Sequence, residues 1–160
     1  AKKTIIELKK QGVKEITLVG SSFGSDISFA LANQVHVDKV VINMLDKNFA
    51  TPIYESPALV MLKKYYQKQG LTLKQLDKIY HFISPEYNIK NLHKNHTKFL
   101  ILISRFDIFC TYQELKPLFK ELDKKKINYE LYIDNFLGHV LAMTRNLYNP
   151  SKIIDFIKNR

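Results

Sequence analysis

The sequence predicts an α/β fold: a mostly parallel sheet flanked by helices, with a helical cap insertion. Three observations predict it. Four short runs, residues 15–20, 38–44, 98–104 and 128–134, are apolar and β-branched enough to be strands covered on both faces. Helical segments separate them, so successive strands return in the same direction through crossovers. One interval, residues 45–97, is too long for an ordinary crossover and carries helices of its own. With 160 residues the chain can bury one sizeable core.

Taken in order, residues 4–11 place Ile5, Ile6 and Leu8 near one face of a short helix, and Gly12 follows where a helix end favours glycine. EITLVG (15–20) is the first strand. Residues 23–34 carry Ile27, Ala30, Leu31 and Gln34 at helical spacing, and DKVVINM (38–44) is the second strand. Residues 45–97 hold Pro52, Pro57 and Pro85 and two helices, 57–69 and 73–83, around Gly70. KFLILIS (98–104) resumes the sheet. Residues 111–126 put Leu115, Leu118, Phe119 and Leu122 on one side of a helix whose closing lysines suit the negative end of its dipole. NYELYID (128–134) is the fourth strand, and residues 151–159 form a last amphipathic helix after Pro150, with Ser151 as its cap. The organisation is a core of residues 1–44 and 98–160, with a cap or lid at 45–97.

The balance of 25 basic against 15 acidic residues gives +10, a sign that attracts nucleic acid, anionic membrane or acidic substrates. The densest basic stretches, 91–98 and 121–126, do not interleave the aromatics and glycines of an RNA-binding sheet, so the excess reads as solvated surface and no nucleic-acid partner is expected. No apolar run approaches the ~20 residues of a membrane-spanning helix, and no membrane span is expected. Cys110 is the only cysteine, which excludes an internal disulfide and favours a reducing, cytoplasmic setting. With no basic residue nearer in sequence than Arg105, it reads as a small buried residue and not a thiolate nucleophile. The chain opens on Ala1 without Met or a signal-like stretch, which leaves a true N-terminus further upstream open.

Chemistry in an open parallel sheet collects at the carboxyl ends of its strands. Ser22, Asp107 and His139 all lie there. Ser22 occupies Gly20-Ser21-Ser22-Phe23-Gly24, a sharp strand-to-helix turn that projects a hydroxyl and aims the Phe23 N–H and a helix N-terminus at the same point. A glycine-rich turn with no chemistry is the plainer reading of the motif. Both glycines are expected to be required, because a side chain at either would collide with its neighbours. A serine needs a base, and His139, beyond the last strand and after Gly138, fits with an exposed imidazole. Asp107 is positioned to orient that imidazole, and Asp46, beyond the preceding strand, is the alternative acid. His93 and His96 are spaced as a metal pair but lack a local carboxylate or thiolate partner, so neither a metal nor a cofactor is expected.

Together, LVGSSFG, KFLILISRFDIFCTYQELKPLFKEL and INYELYIDNFLGHVL resemble the C-terminal half to two-thirds of an α/β-hydrolase: its nucleophile elbow, its acid-bearing strand with the following helix, and its last strand with the histidine loop. The order Ser, Asp, His is that of the family, and residues 45–97 correspond to its variable cap. SRFD departs from the more usual glycine-containing turn before the acid. The resemblance also implies that the first strands and a second oxyanion donor lie upstream of residue 1.

The expected activity is that of a serine hydrolase on a small-molecule carboxylic ester or thioester. Ser22 attacks, His139 relays the proton, Asp107 orients His139, the Phe23 N–H binds the oxyanion, and water resolves the acyl-enzyme. The alternative is a hydrolase-like protein used for binding. Tyr54, Leu59, Met61, Leu62, Tyr65 and Tyr66 are candidates to line an acyl pocket. The first strand, with Ile16, Leu18 and Val19, is too apolar for a solvent edge. An upstream segment, a second chain or a second copy is expected to cover it.

Overall fold

The computed structural model describes residues 1–94 and 96–159, without the His93 side chain. Helix α1 (Lys2–Lys10) leads into strand β1 (Thr17–Ser21), helix α2 (Phe23–Gln34) and strand β2 (Lys39–Asn43). Helices α3 (Ala50–Glu55), α4 (Val60–Lys68) and α5 (Leu73–Tyr80), with short 3-10 turns, fill the interval before β3 (Lys98–Ser104). Helix α6 (Tyr112–Lys124), strand β4 (Tyr129–Asp134), and helices α7 (His139–Tyr148) and α8 (Ser151–Lys158) complete the chain.

All neighbouring strands are parallel, in the order β1-β2-β3-β4. Alternation along the strands divides the core in two. Val40, Ile42, Phe99, Ile101 and Ile103 face Phe29 of α2 and Leu115, Leu118 and Leu122 of α6. Val41, Leu100 and Leu102 face Ile153 and Phe156 of α8. Strand β2 is buried throughout, as a central strand covered on both faces must be.

The edge strands behave differently. Val19 of β1 is 51% exposed. In β4 half-buried residues alternate with the exposed Glu130 and Tyr132, so β4 does not continue the fully buried pattern expected for all four strands. The expected stripe on α2 is also corrected: Gln34 is exposed, while Ser25, Asp26, Ser28, Phe29, Ala30 and Ala32 are buried, because the helix is enclosed on more than one side. Ser151 does not cap α8. It is the first helical residue, and Pro150 holds the cap position without a side-chain bond.

Two helices are additional to the expected set. Pro52 obscures α3, yet proline is tolerated in a first turn, whose N–H groups have no intrahelical acceptor. Helix α7 shows no apolar stripe because Val140, Leu141 and Leu147 point to solvent. The inserted helices bury Ala50, Ile53 and Leu76 against one another, with Phe49, Tyr54 and Tyr66 packed around them.

Candidate active site

Strand β1 ends at Ser21 and α2 begins at Phe23, so Ser22 alone makes the turn, with φ 51° and ψ −124°. A β-carbon makes that half of conformational space costly, and such strain persists only where surrounding bonds enforce it. They do so here. The Ser22 N–H donates to the Asn43 carbonyl at 2.8 Å, and the Ser25 N–H donates to the Ser22 carbonyl at 2.7 Å. The Ser25 hydroxyl accepts the Asn43 N–H at 3.1 Å and lies 3.0 Å from the Gly20 carbonyl. A Cβ on Gly20 would stand 2.2 Å from the Gly24 carbonyl oxygen, so the first glycine of the motif is required. A Cβ on Gly24 would meet nothing within 4 Å, which corrects the expectation that both glycines avoid a collision.

His139 is the first residue of α7. Its Nε2 lies 3.0 Å from Ser22 Oγ and its Nδ1 2.6 Å from Asp107 Oδ2. The imidazole is 5% exposed, not open to solvent as expected, because the Phe109 ring packs edge-on against it at 4.5 Å. Gly138 has an ordinary extended backbone, φ −77° and ψ −179°, and a Cβ there would make only an ordinary contact at 3.5 Å, so nothing in this turn demands glycine.

Asp107 is also buried, and its Oδ1 accepts the N–H groups of Phe109 at 2.8 Å and Cys110 at 3.3 Å. Ser104 Oγ accepts the Phe106 N–H at 3.1 Å, and the Arg105 N–H reaches the Asp134 carbonyl at 2.8 Å. The SRFD turn is thus built from side-chain and cross-strand bonds with no left-handed residue, and it positions the carboxylate without a glycine.

The alternative acid, Asp46, makes no hydrogen bond to His139. Its N–H donates to Asp26 Oδ1 at 3.4 Å. Burial first, then repulsion from Asp107, pushes its carboxyl up to about 7, against the attraction of His139. Asp26 is fully buried and held well above the usual carboxylate range, by burial and then by the charge of Asp46. Among the described residues, Asp26 Oδ2 and Asp46 Oδ1 are buried without a hydrogen-bond partner. Asp26 escapes sequence reasoning because an acid in the first turn of a helix ordinarily faces solvent and complements the dipole. The Cys110 thiol is buried and shifted strongly upward, chiefly by that burial, which keeps it neutral.

The Phe23 N–H is the first of α2, and helix geometry gives it no intrahelical acceptor. A cavity of about 210 Å³ opens beside Ser22, lined by Phe23, Asp46, Phe49, Pro52, Ile53, Leu59, Leu62 and Phe109. Of the six residues expected to form an acyl pocket, Leu59 and Leu62 line it. Tyr54 and Tyr66 pack within the inserted helices, and Met61 and Tyr65 are exposed. Asn43 ties the Ser22 turn to α7: its Nδ2 donates to Ser21 Oγ at 3.2 Å and to the Met143 carbonyl at 3.1 Å, and its Oδ1 accepts from Asn146 at 2.9 Å. The His93 side chain of the possible metal pair lies outside the described residues. Among those described, no three His, Cys, Asp or Glu are grouped to hold a metal ion, and no helix is long and apolar enough to cross a membrane.

The model of the prolyl oligopeptidase family matches residues 14–160. No curated protein matches the sequence significantly. Among solved structures, an esterase of Pyrococcus furiosus is similar at 18% identity and a TM-score of 0.64, over 98% of this chain and 59% of its own. An acylaminoacyl peptidase of Pyrococcus horikoshii is similar at 13% identity and a TM-score of 0.71, over 97% of this chain and 26% of its own. A puromycin-hydrolysing peptidase of Mycobacterium tuberculosis is similar at 15% identity and a TM-score of 0.62, over 90% of this chain and 23% of its own. The chain therefore spans under two-thirds of the esterase and about a quarter of the peptidases. The parallel sheet with its flanking helices is the α/β-hydrolase fold, and with a family match running from residue 14 to its end, the chain belongs to the prolyl oligopeptidase family.

Proposed function

We propose that this chain carries a serine hydrolase site that cleaves carboxylic esters or thioesters through an acyl-enzyme. The observation that supports it most is the hydrogen-bonded series Ser22, His139, Asp107, at 3.0 and 2.6 Å, starting from a residue held in a strained turn. As the substrate carbonyl approaches, Ser22 Oγ bonds to its carbon while its proton passes to His139 Nε2. Asp107 keeps a proton on Nδ1 and stabilises the imidazolium. The Phe23 N–H and the positive end of α2 face the oxygen that gains charge. His139 then protonates the leaving group, the C–O or C–S bond breaks, and a water deprotonated by His139 releases the acid. The cavity beside Ser22 takes the acyl group, and residues 45–97 act as the cap over it, with residues 1–44 and 98–160 as core.

A second reading, cleavage of a peptide or acylated amide, is favoured by the family match and uses the same steps with an amine as leaving group. A fluorophosphonate probe is expected to label Ser22 of the intact protein, with loss of label in Ser22→Ala. Absence of label on folded protein overturns both readings. Paired ester and anilide substrates of one acyl group separate the first from the second. Ester turnover equal in Ser22→Ala and wild type leaves the non-catalytic binding role.

The open edge of β1 belongs to the same proposal. Val19 is half exposed on a strand with one neighbour, and further polypeptide, from an upstream segment, a second chain or a second copy, covers it and contributes the second oxyanion donor. Loss of one such donor typically lowers turnover about 100- to 1000-fold. Turnover and oligomeric state of residues 1–160 alone, set beside a longer chain, test this; a fully active monomer of 160 residues overturns it.

A further inference from the structure

The cavity beside Ser22 is apolar with two exceptions, Ser22 itself and Asp46; no Lys or Arg lines it. Asp46 follows β2 through Met44, whose left-handed backbone (φ 66°) turns the chain at the strand end. Its N–H donates to Asp26 Oδ1 at 3.4 Å, and its own Oδ1 is buried without a partner. Three aromatic rings, Phe23, Phe49 and Phe109, complete the walls. An acidic residue sharing a cavity lining with three aromatic rings and no basic side chain is the chemistry that receives an organic cation, since ring faces and carboxylate both attract positive charge. In a chain of net charge +10, the groups acting on Asp46 are acidic apart from His139: Asp26 from α2, Asp107 from the loop after β3 and Glu114 from α6.

We propose that Asp46 is the specificity-determining residue of this cavity and selects acyl groups whose short chain ends in a primary ammonium. The inference rests on the reading of Ser22 as nucleophile. An ammonium entering the cavity meets in Asp46 the one ionisable side chain of its lining, and the cavity of about 210 Å³ limits the chain to a few carbons. Burial raises Asp46 to about 7 in the empty site. The carboxyl is therefore charged above neutral pH and increasingly protonated below it, while an alkylammonium with a pKa near 10 keeps its charge throughout.

The test compares p-nitrophenyl esters of ω-aminohexanoic and hexanoic acid, and of ω-aminobutyric and butyric acid, on the intact protein from pH 6 to 8.5. The ratio of kcat/KM within each pair is the readout, because protonation of His139 affects both members alike and cancels. The expected ratio is at least tenfold in favour of the amino ester at pH 8.5, falling as pH drops through 7. Asp46→Asn is expected to lower the ratio at least tenfold and to remove its pH dependence. The wild-type pH dependence carries the test if that variant does not fold. A ratio near one at every pH, with hexanoyl turnover and fluorophosphonate labelling intact, overturns the role of Asp46 and leaves Ser22 standing. Loss of both turnover and labelling overturns the nucleophile reading and this inference with it.

Discussion

His139 Nδ1 stands 2.6 Å from Asp107 Oδ2 with both side chains buried, while Asp46 makes no bond to the same ring. Asp107→Asn keeps an oxygen for the Phe109 and Cys110 N–H groups but removes the charge that stabilises the imidazolium. The expected loss in kcat is on the order of 1000- to 10,000-fold. Steady-state ester hydrolysis checks it. A loss below tenfold shows that another carboxylate orients the histidine.

Ser22 adopts φ 51°, a region that glycine enters freely and serine does not. Ser22→Gly is expected to abolish turnover and to raise unfolding free energy by about 1–3 kcal/mol, the usual size of such strain. Urea midpoints of the two proteins decide the point, and an unchanged or lower midpoint shows that the turn is relaxed.

The two glycines of the motif are expected to part company. Gly20→Ala forces a Cβ to 2.2 Å from backbone, where no flexible side chain can yield, and more than about 3 kcal/mol of stability should be lost. Gly24→Ala adds a methyl to open space inside a helix and should be neutral or slightly stabilising. Thermal melts of the pair provide the comparison; equal melting temperatures refute it.

Asp46 also gives stability a pH dependence. Its folded pKa of about 7 lies above the unfolded value near 3.9, so between these values the folded state holds a proton that the unfolded chain releases. Stability therefore falls as pH rises from about 4 to 7, by on the order of 3–4 kcal/mol for this group. Asp46→Asn, which cannot ionise, should lose less stability than wild type between pH 5 and pH 8. Urea unfolding at both pH values measures this, and parallel behaviour contradicts it.

The sheet was legible because its strands are short apolar runs whose burial is written in composition, and β3 fell on residues 98–104 as read. The meeting of Ser22, Asp107 and His139 was legible for a topological reason: each follows a strand, and parallel strands deliver their ends to one rim. What separates Asp107 from Asp46 is which of the two the folded loops bring within hydrogen-bond reach of the ring, and no spacing encodes it. The burial of His139 depends on Phe109, thirty residues earlier in sequence, and so belongs to tertiary packing alone. Helix α7 was hidden because its outer face is apolar, which leaves no contrast for a periodic pattern to show.

Asn43 bonds to Ser21 on one side and to Met143 and Asn146 on the other. The parts it joins do not leave the ribosome together. Ser22 and its histidine are 117 residues apart in the chain, a gap that takes roughly ten seconds to translate at ordinary rates. For that interval the nascent chain carries Ser22 without His139, although the bonds that hold its turn, from Asn43 and Ser25, already lie in the first third of the chain. The turn can therefore form before its partner arrives, and the contact between Ser22 and His139 is made only when α7 docks, at the same step that joins Asn43 to Met143 and Asn146.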